Sequence, residues 1–541
     1  VKRILQFSAL LLLCPLLACQ QEPPVSPLDR SPDAADRAVD PALAAGELML
    51  AFGWDFDPDV QLPASLAALG DKCGPGIVVD FQREAITGDI AHYGIVLAVG
   101  PGEHDVIGLH RVVRESRPFT PIRARKSLFL VHGMGKDFVG NFLPGVKSPL
   151  LPDDFGFAVF MAQNGLDVWG VDNSYTLVPA GLEDFSFAAG WGMDKCVADI
   201  ATGVAVARSV RLFTGNGWRK MVLVGYSQGA IMGYAYLDGE ADLPPVRRSI
   251  SAFVPVDWGL GYDDPDVQQG ECEFLGGYVG LYGDGVYGFD DDPDGFYASL
   301  GQLAQTDPDG PSPYYDGFTN LQVFLFFTAT ATPPNTVHYW AAIFDEFGVP
   351  LDLVHTTRLM ATEFWIHWAP MHPPTHLWAD FYAINCEDSV WEANLAAIDL
   401  PVFSLEAAGG GGPGMAGTLD RLVGCDVTRH VVQLLGPDDV LLDFGHVDLF
   451  TAENAAALAW QPTLDWLSSL HGQAADDAPD LDLVLDQAAL PALRALGGTM
   501  APSGRYLAAT ASAPMVAPPA APARARADLE RDARLRQTAR R

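Results

Sequence analysis

In the stretch KMVLVGYSQGAIMGYAYL, Ser227 stands between Gly225 and Gly229, with an apolar run before it and an alanine-rich segment after it. A serine hydroxyl is a poor nucleophile at neutral pH and needs a base within hydrogen-bond reach. The G-x-S-x-G spacing suits a sharp strand-to-helix turn that exposes Oγ, because small flanking residues avoid clashes across that turn. The helix that follows would aim backbone N–H groups and its positive end at a reacting carbonyl. A base could come from His446, since DVLLDFGH reads as a strand ending at Gly445-His446 with the imidazole on the loop beyond. LVHGMG supplies a second strand end and turn, so the N–H groups of Met134 and Gln228 are the candidate oxyanion donors. His132, in the same turn, reads as shaping the loop.

A base of this kind needs a carboxylate to orient it, expected past the strand PVFSL. GTLDRLV fits a G-x-x-D-x-x-V pattern and offers Asp420. Asp426 is the other main candidate; it opens an expected helix over DVTRHVVQLL and could simply cap it. Glu406 lies nearest the strand end. The insert AAGGGGPGMAG shifts the geometry, so spacing leaves these alternatives open. Asp448, two residues past the histidine, reads as fixing that loop.

The elements that must position these residues alternate strand and helix. HYGIVLAVGPGEHDVIGLHRVVRE reads as two strands around a Gly-rich turn, and KSLFLVHGMG and NGLDVWGVDNS as continuous buried strands. GMDKCVADIATGVAVARSV has helical spacing with Asp194 as a plausible N-cap, and SISAFVPVDWG is a further strand. This alternation predicts an α/β fold with a mostly parallel sheet covered on both faces. Between about residues 260 and 397 acidic loops, prolines and aromatic runs interrupt it, which reads as a cap inserted into one domain over 46–471. LPVFSL restores the pattern, and AENAAALAWQPTLDWLSSL closes it as an amphipathic helix.

Taken together, IGLHRVV, LVHGMG, GLDVWGVDNS, GYSQGA and GHVDLF resemble the corresponding segments of the α/β-hydrolases, and within them of acid lipases and related esterases. The resemblance covers roughly residues 90–258 and 400–470. NSYTLVP, after Asp172, departs from the Asn-x-Arg-Gly of acid lipases. The resemblance implies an α/β-hydrolase fold and hydrolysis of a carboxylic ester through an acyl-enzyme, with no metal and no organic cofactor. A peptidase, amidase or thioesterase could use the same residues, and a surface binding protein could retain them without activity.

Composition narrows the partners. The 541 residues carry a formal charge of −35, which argues against nucleic acid, because phosphate binding needs clustered cations. Lys2 and Arg3 precede ILQFSALLLLCPLLAC, too short for a stable membrane span and suited to a signal peptide over 1–18. LLAC resembles a bacterial lipobox, which implies lipidation of Cys19 and a membrane tether. Gln20 in place of aspartate then resembles sorting to the outer membrane of the cell envelope. Residues 19–45 read as a linker, and 472–541, Ala/Pro-rich and then Arg-rich, as a disordered tail. Cys73, Cys196, Cys272, Cys386 and Cys425 allow one or two disulfides in an exported chain, with no pairing indicated. Asp290, Asp292, Asp294 and Gly295 imitate the front of a calcium loop, but Gly301 stands where the bidentate glutamate belongs, so this is read as a solvated turn. Phe364, Trp365, Trp368 and Trp378 could line an apolar site or form the cap's own core.

Overall fold

The computed structural model describes residues 39–54, 77–288, 295–329, 337–368, 374–387 and 389–470. The signal segment, Cys19, Cys73, the acids Asp290, Asp292 and Asp294, and the tail 472–541 lie outside the described residues. Nine strands form the main path of one sheet: β1 (Val78–Thr87), β2 (Ile90–Ala98), β3 (Val106–Arg117), β4 (Ser127–Val131), β5 (Asp167–Asp172), β6 (Met221–Tyr226), β7 (Ile250–Val256), β8 (Val402–Ala407) and β9 (Val427–Val432). Their spatial order is β1-β2-β3-β5-β4-β6-β7-β8-β9. The first three strands form an antiparallel meander, β3 meets β5 antiparallel, and every pair from β5 to β9 is parallel. This is the α/β-hydrolase fold with a mostly parallel sheet.

β4, β5, β6 and β8 are buried at every position, as expected of parallel strands covered on both faces. Side chains alternate between the faces. Phe129 and Val131 of β4 join one core, Leu128 and Leu130 the other. Helices α1 (Pro41–Phe52), α2 (Phe157–Gln163), α3 (Met193–Phe213) and α4 (Gln228–Ala241) precede the insertion. α1, α3 and α4 pack on the first face and α2 on the second. The expected linker over 19–45 therefore ends early: Ala42, Ala44 and Ala45 are already buried in α1, which packs along α3. The expected N-cap of α3 also moves. Gly192 is the cap residue, and Asp380 from the insertion accepts the Met193 N–H at 2.6 Å, while Asp194 accepts Trp391 Nε1 at 2.9 Å.

Between β7 and β8 the insertion carries α5 (Pro265–Gly283), α6 (Phe296–Thr306), α7 (Asn320–Ala329), the hairpin Ala342–Phe344/Pro350–Leu353, α8 (Arg358–Ile366) and α9 (Thr375–Cys386). Leu300, Phe324, Trp340, Ala361 and Trp365 give it a core of its own, so Phe364 and Trp365 are cap core residues. Trp378 stacks on Tyr278, and a disulfide joins Cys272 on α5 to Cys386 on α9.

After the insertion two expectations reverse. DVTRHVVQLL is not a helix: Val427 to Val432 form β9 and pair in register with β8, from Val402–Val427 to Ala407–Val432. The β-branched residues Val427, Thr428, Val431 and Val432 favour that outcome. DVLLDFGH is not a strand but the 3₁₀ turn Pro437–Leu442, after which Asp443 accepts the N–H groups of Leu434, Leu435 and Phe444 and closes the loop. Helix α10 (Gln461–Ser469) ends the described chain and packs Leu464 and Leu467 onto the second face.

Candidate active site

The parallel strands β4, β6, β7 and β8 all end at one rim, and the sequence places the reactive residues there. Ser227 immediately follows β6 and caps α4 with φ 55° and ψ −124°. A non-glycine residue in this region costs of order 1–3 kcal/mol, so surrounding contacts must hold it. They do: Ser227 N donates to Val256 O at 3.0 Å, and Ala230 N donates to Ser227 O at 2.8 Å. A Cβ on Gly225 would collide with Gly229 O, and one on Gly229 with Val131 O. The two glycines of the motif are thus fixed by close backbone approach, which explains the spacing physically.

β7 runs beside β6, pairing Tyr226 with Val256, so the next residue of each strand also lies side by side at the rim. That neighbour is Asp257, which has φ 56°. Among the described residues only Phe119, Ser227 and Asp257 are non-glycine residues with positive φ. Asp257 is 1% exposed. Its carboxylate accepts three backbone N–H groups, from Ala407 at 3.0 Å, Gly411 at 3.2 Å and Gly412 at 3.0 Å. It also meets His446 Nδ1 at 2.7 Å. The Gly-rich insert is the cradle for this carboxylate: a Cβ on Gly410 would strike Asp257 Oδ2.

His446 is buried, its ring stacked on Tyr226 at 4.7 Å between centroids and met edge-on by Trp258 at 5.4 Å. Stacking on the residue that precedes Ser227 sets the imidazole next to the turn of β6. Among the described residues Ser227 Oγ makes no hydrogen bond with His446; such contacts often sit loose without substrate and tighten in the reacting complex. With Nδ1 engaged by Asp257, Nε2 is the nitrogen left to exchange a proton.

The carboxylate that faces His446 thus lies past β7, at Asp257, and not past β8 where it was expected. Asp420 ends the one-turn helix Gly417–Asp420 and is exposed, and Asp426 is exposed just before β9. Glu406 is buried but taken: Arg429 grips it through Nε at 2.7 Å and Nη2 at 2.6 Å. The signal for Asp257 was present, an aspartate ending the apolar strand FVPV directly after the strand and helix that flank Ser227.

The turn after β4 is held from several sides. Asn141 Oδ1 accepts Gly133 N at 2.8 Å, Asp172 Oδ1 accepts Phe138 N at 2.6 Å, and a Cβ on Gly133 would lie 3.0 Å from Ser227 Cβ. Met134 is 38% exposed within this turn. Gln228 opens α4, where the first N–H groups have no partner within the helix. His132 hydrogen-bonds Gly133 O at 2.8 Å through Nδ1 and so shapes the loop. Buried Lys136 reaches into the cap, donating to Phe364 O and to His367 O (3.1 Å), and the Trp368 ring lies over Gly135. Burial pushes the Lys136 ammonium well below its ordinary range. Among the described residues no group of three or more His, Cys, Asp or Glu side chains is arranged to hold a metal ion.

No family model matches this chain, and no curated protein matches it. Solved structures do. A candidate lipase from Sulfolobus solfataricus aligns over 72% of this chain and 99% of its own at 18% identity and TM-score 0.48. A thermophilic esterase from Thermogutta terrifontis aligns over 72% and 100% at 12% identity and TM-score 0.36. A bromoperoxidase from Bacillus anthracis aligns over 67% and 96% at 12% identity and TM-score 0.33. At such values these likenesses bring neither activity nor substrate to this chain.

Proposed function

We propose that this chain is a serine hydrolase of carboxylic esters, with Ser227 as nucleophile, His446 as base and Asp257 as the acid. The observation that carries it is the 2.7 Å contact from His446 Nδ1 to Asp257, beside a serine on a strained strand-to-helix turn. His446 Nε2 takes the proton of Ser227 as Oγ adds to the carbonyl carbon. Asp257 keeps the proton on Nδ1 and stabilises the imidazolium. The N–H groups of Met134 and Gln228 receive the oxyanion. Collapse of the adduct breaks the ester C–O bond, and His446 passes its proton to the leaving alkoxide. Water then repeats the sequence on the acyl-enzyme and releases the acid.

The lipobox-like LLAC supports attachment of the mature chain through Cys19 to the bacterial cell envelope, at the outer membrane. The Cys272–Cys386 disulfide fits an oxidising compartment of this kind. Metabolic labelling with a fatty-acid analogue tests the anchor, since Cys19→Ser should abolish the label.

A fluorophosphonate probe tests the chemistry. The folded protein should be modified at Ser227 alone, as read by peptide mapping, and Ser227→Ala should stay unmodified. An unmodified wild-type protein would end this reading. A matched panel of ester, thioester and amide substrates then reads the bond class, with the ester expected fastest.

A further inference from the structure

Asp448 is 0% exposed and takes no part in the steps above. Its carboxylate ties three separate segments together. Oδ2 accepts Gly445 N at 2.9 Å, immediately before the base His446. The same oxygen accepts Ala341 N at 2.9 Å, and Oδ1 accepts Thr356 Oγ1 at 2.6 Å; both donors belong to the insertion. Burial pushes Asp448 up to about 7, against the three donors, which pull it down.

The backbone around this carboxylate is laced in the same way. His446 N donates to His338 O at 2.9 Å and Val447 N to Tyr339 O at 2.8 Å. His338 N in turn donates to Gly409 O at 3.0 Å, in the glycine tract that cradles Asp257. Trp340 Nε1 donates to Thr451 Oγ1 at 2.8 Å, and Thr451 Oγ1 lies 3.0 Å from Thr356 Oγ1. Residues 338–341 are thus wedged between the loop of the acid and the loop of the base. The cap contacts both.

We infer that Asp448 is a positioning residue through which the inserted cap sets the place of His446, making this edge of the cap a fixed part of the catalytic centre rather than a lid. The inference rests on the serine-hydrolase reading. A base displaced by about 1 Å can cost on the order of 10²-fold in rate, so a small relaxation of Gly445 should be visible. Asp448→Asn keeps the shape but sets an amide nitrogen against at least one of the three donors. Thr356→Val removes only the hydroxyl contact on the cap side.

The experiment measures the rate constant and the final extent of fluorophosphonate labelling on the full chain, with kcat and KM for p-nitrophenyl butyrate. For Asp448→Asn the rate constant and kcat should fall by roughly 10- to 100-fold, with KM within about twofold and the labelled fraction near that of wild type. Thr356→Val should move the same quantities in the same direction by about 3- to 10-fold. A merely structural role would lower the labelled fraction and leave the rate constant of the folded molecules unchanged; that result overturns the inference. So does a wild-type rate constant in Thr356→Val, which decides the matter if Asp448→Asn does not fold. An unreactive wild-type protein would instead overturn the serine-hydrolase reading, and this inference with it.

Discussion

Ser227 and Asp257 are held in one way and His446 in another. The first two follow directly on adjacent parallel strands and share a strained backbone, with φ 55° and 56°. Each is confined by glycines so close that a methyl group would not fit, Gly225 and Gly229 for the serine and Gly410 for the aspartate. His446 follows a 3₁₀ turn and an irregular loop; its ring meets Tyr226 and Asp257 at the rim, but its backbone is braced by the inserted cap through His338, Tyr339 and Asp448. The difference teaches that the sheet rim stores the geometry of Ser227 and Asp257, while the backbone of His446 depends on contacts made far along the chain.

The sharpest way to break this comparison is at the acid. Asp257→Asn should lower kcat by about 10⁴-fold, because an amide no longer holds the Nδ1–H tautomer or stabilises the imidazolium. Asp420→Asn and Asp426→Asn should stay within about twofold of wild type, as expected of exposed carboxylates outside the site. Steady-state hydrolysis of a p-nitrophenyl ester decides it, and the reverse ranking would return the acid to the region after β8. Next in size is Gly410→Ala. Its methyl group must push the Asp257 carboxylate, so kcat should drop about 10²-fold while KM changes little.

Stability probes the cap side. Cys272→Ser opens a cross-link spanning 114 residues within the insertion. It should cost about 2–4 kcal/mol on denaturation, with the cap unfolding at lower denaturant than the sheet. If both still unfold together at the wild-type midpoint, the cap does not need this tie.

The smallest expected effect concerns Asp380, whose burial raises its carboxyl from 3.8 to about 7. Between those values the folded chain keeps a proton that the unfolded chain has released. The contribution is therefore complete below about pH 3.8 and lost as pH rises through about 7. In Asp380→Asn the fall in melting temperature between pH 4.5 and 7.5 should be shallower than in wild type. An unchanged slope would show that Asp380 ionises normally in the folded chain.

Much of this was legible in the residues. G-x-S-x-G between an apolar run and a helix placed Ser227 at a strand-to-helix turn, KSLFLV and GLDVWGVD read as continuous buried strands, and the loss of alternation after residue 260 falls where β7 gives way to the long segment before β8. The reading failed where a short segment had two plausible periods. VTRHVV satisfied a helical pattern as well as a strand, and only its register against β8 settled the matter. The carboxylate partner of His446 was missed for a related reason. A histidine from a distant loop can reach the end of either β7 or β8, and spacing along the chain does not separate them. The cysteines gave no pairing, because Cys272 and Cys386 meet only when α5 packs against α9.

By itself the sequence determined the local chemistry: a serine on a tight turn, a glycine-flanked histidine past the last strands, and a sheet apolar enough to be covered on both faces. Those features are short-range, set by steric limits and hydrophobic pattern within a few residues. The tertiary structure alone decided which carboxylate faces the histidine, why four glycines stand in a row, and which part of the cap braces the base. Each of these depends on groups far apart in the chain meeting within about 3 Å of one another, a matter of packing that no local pattern encodes.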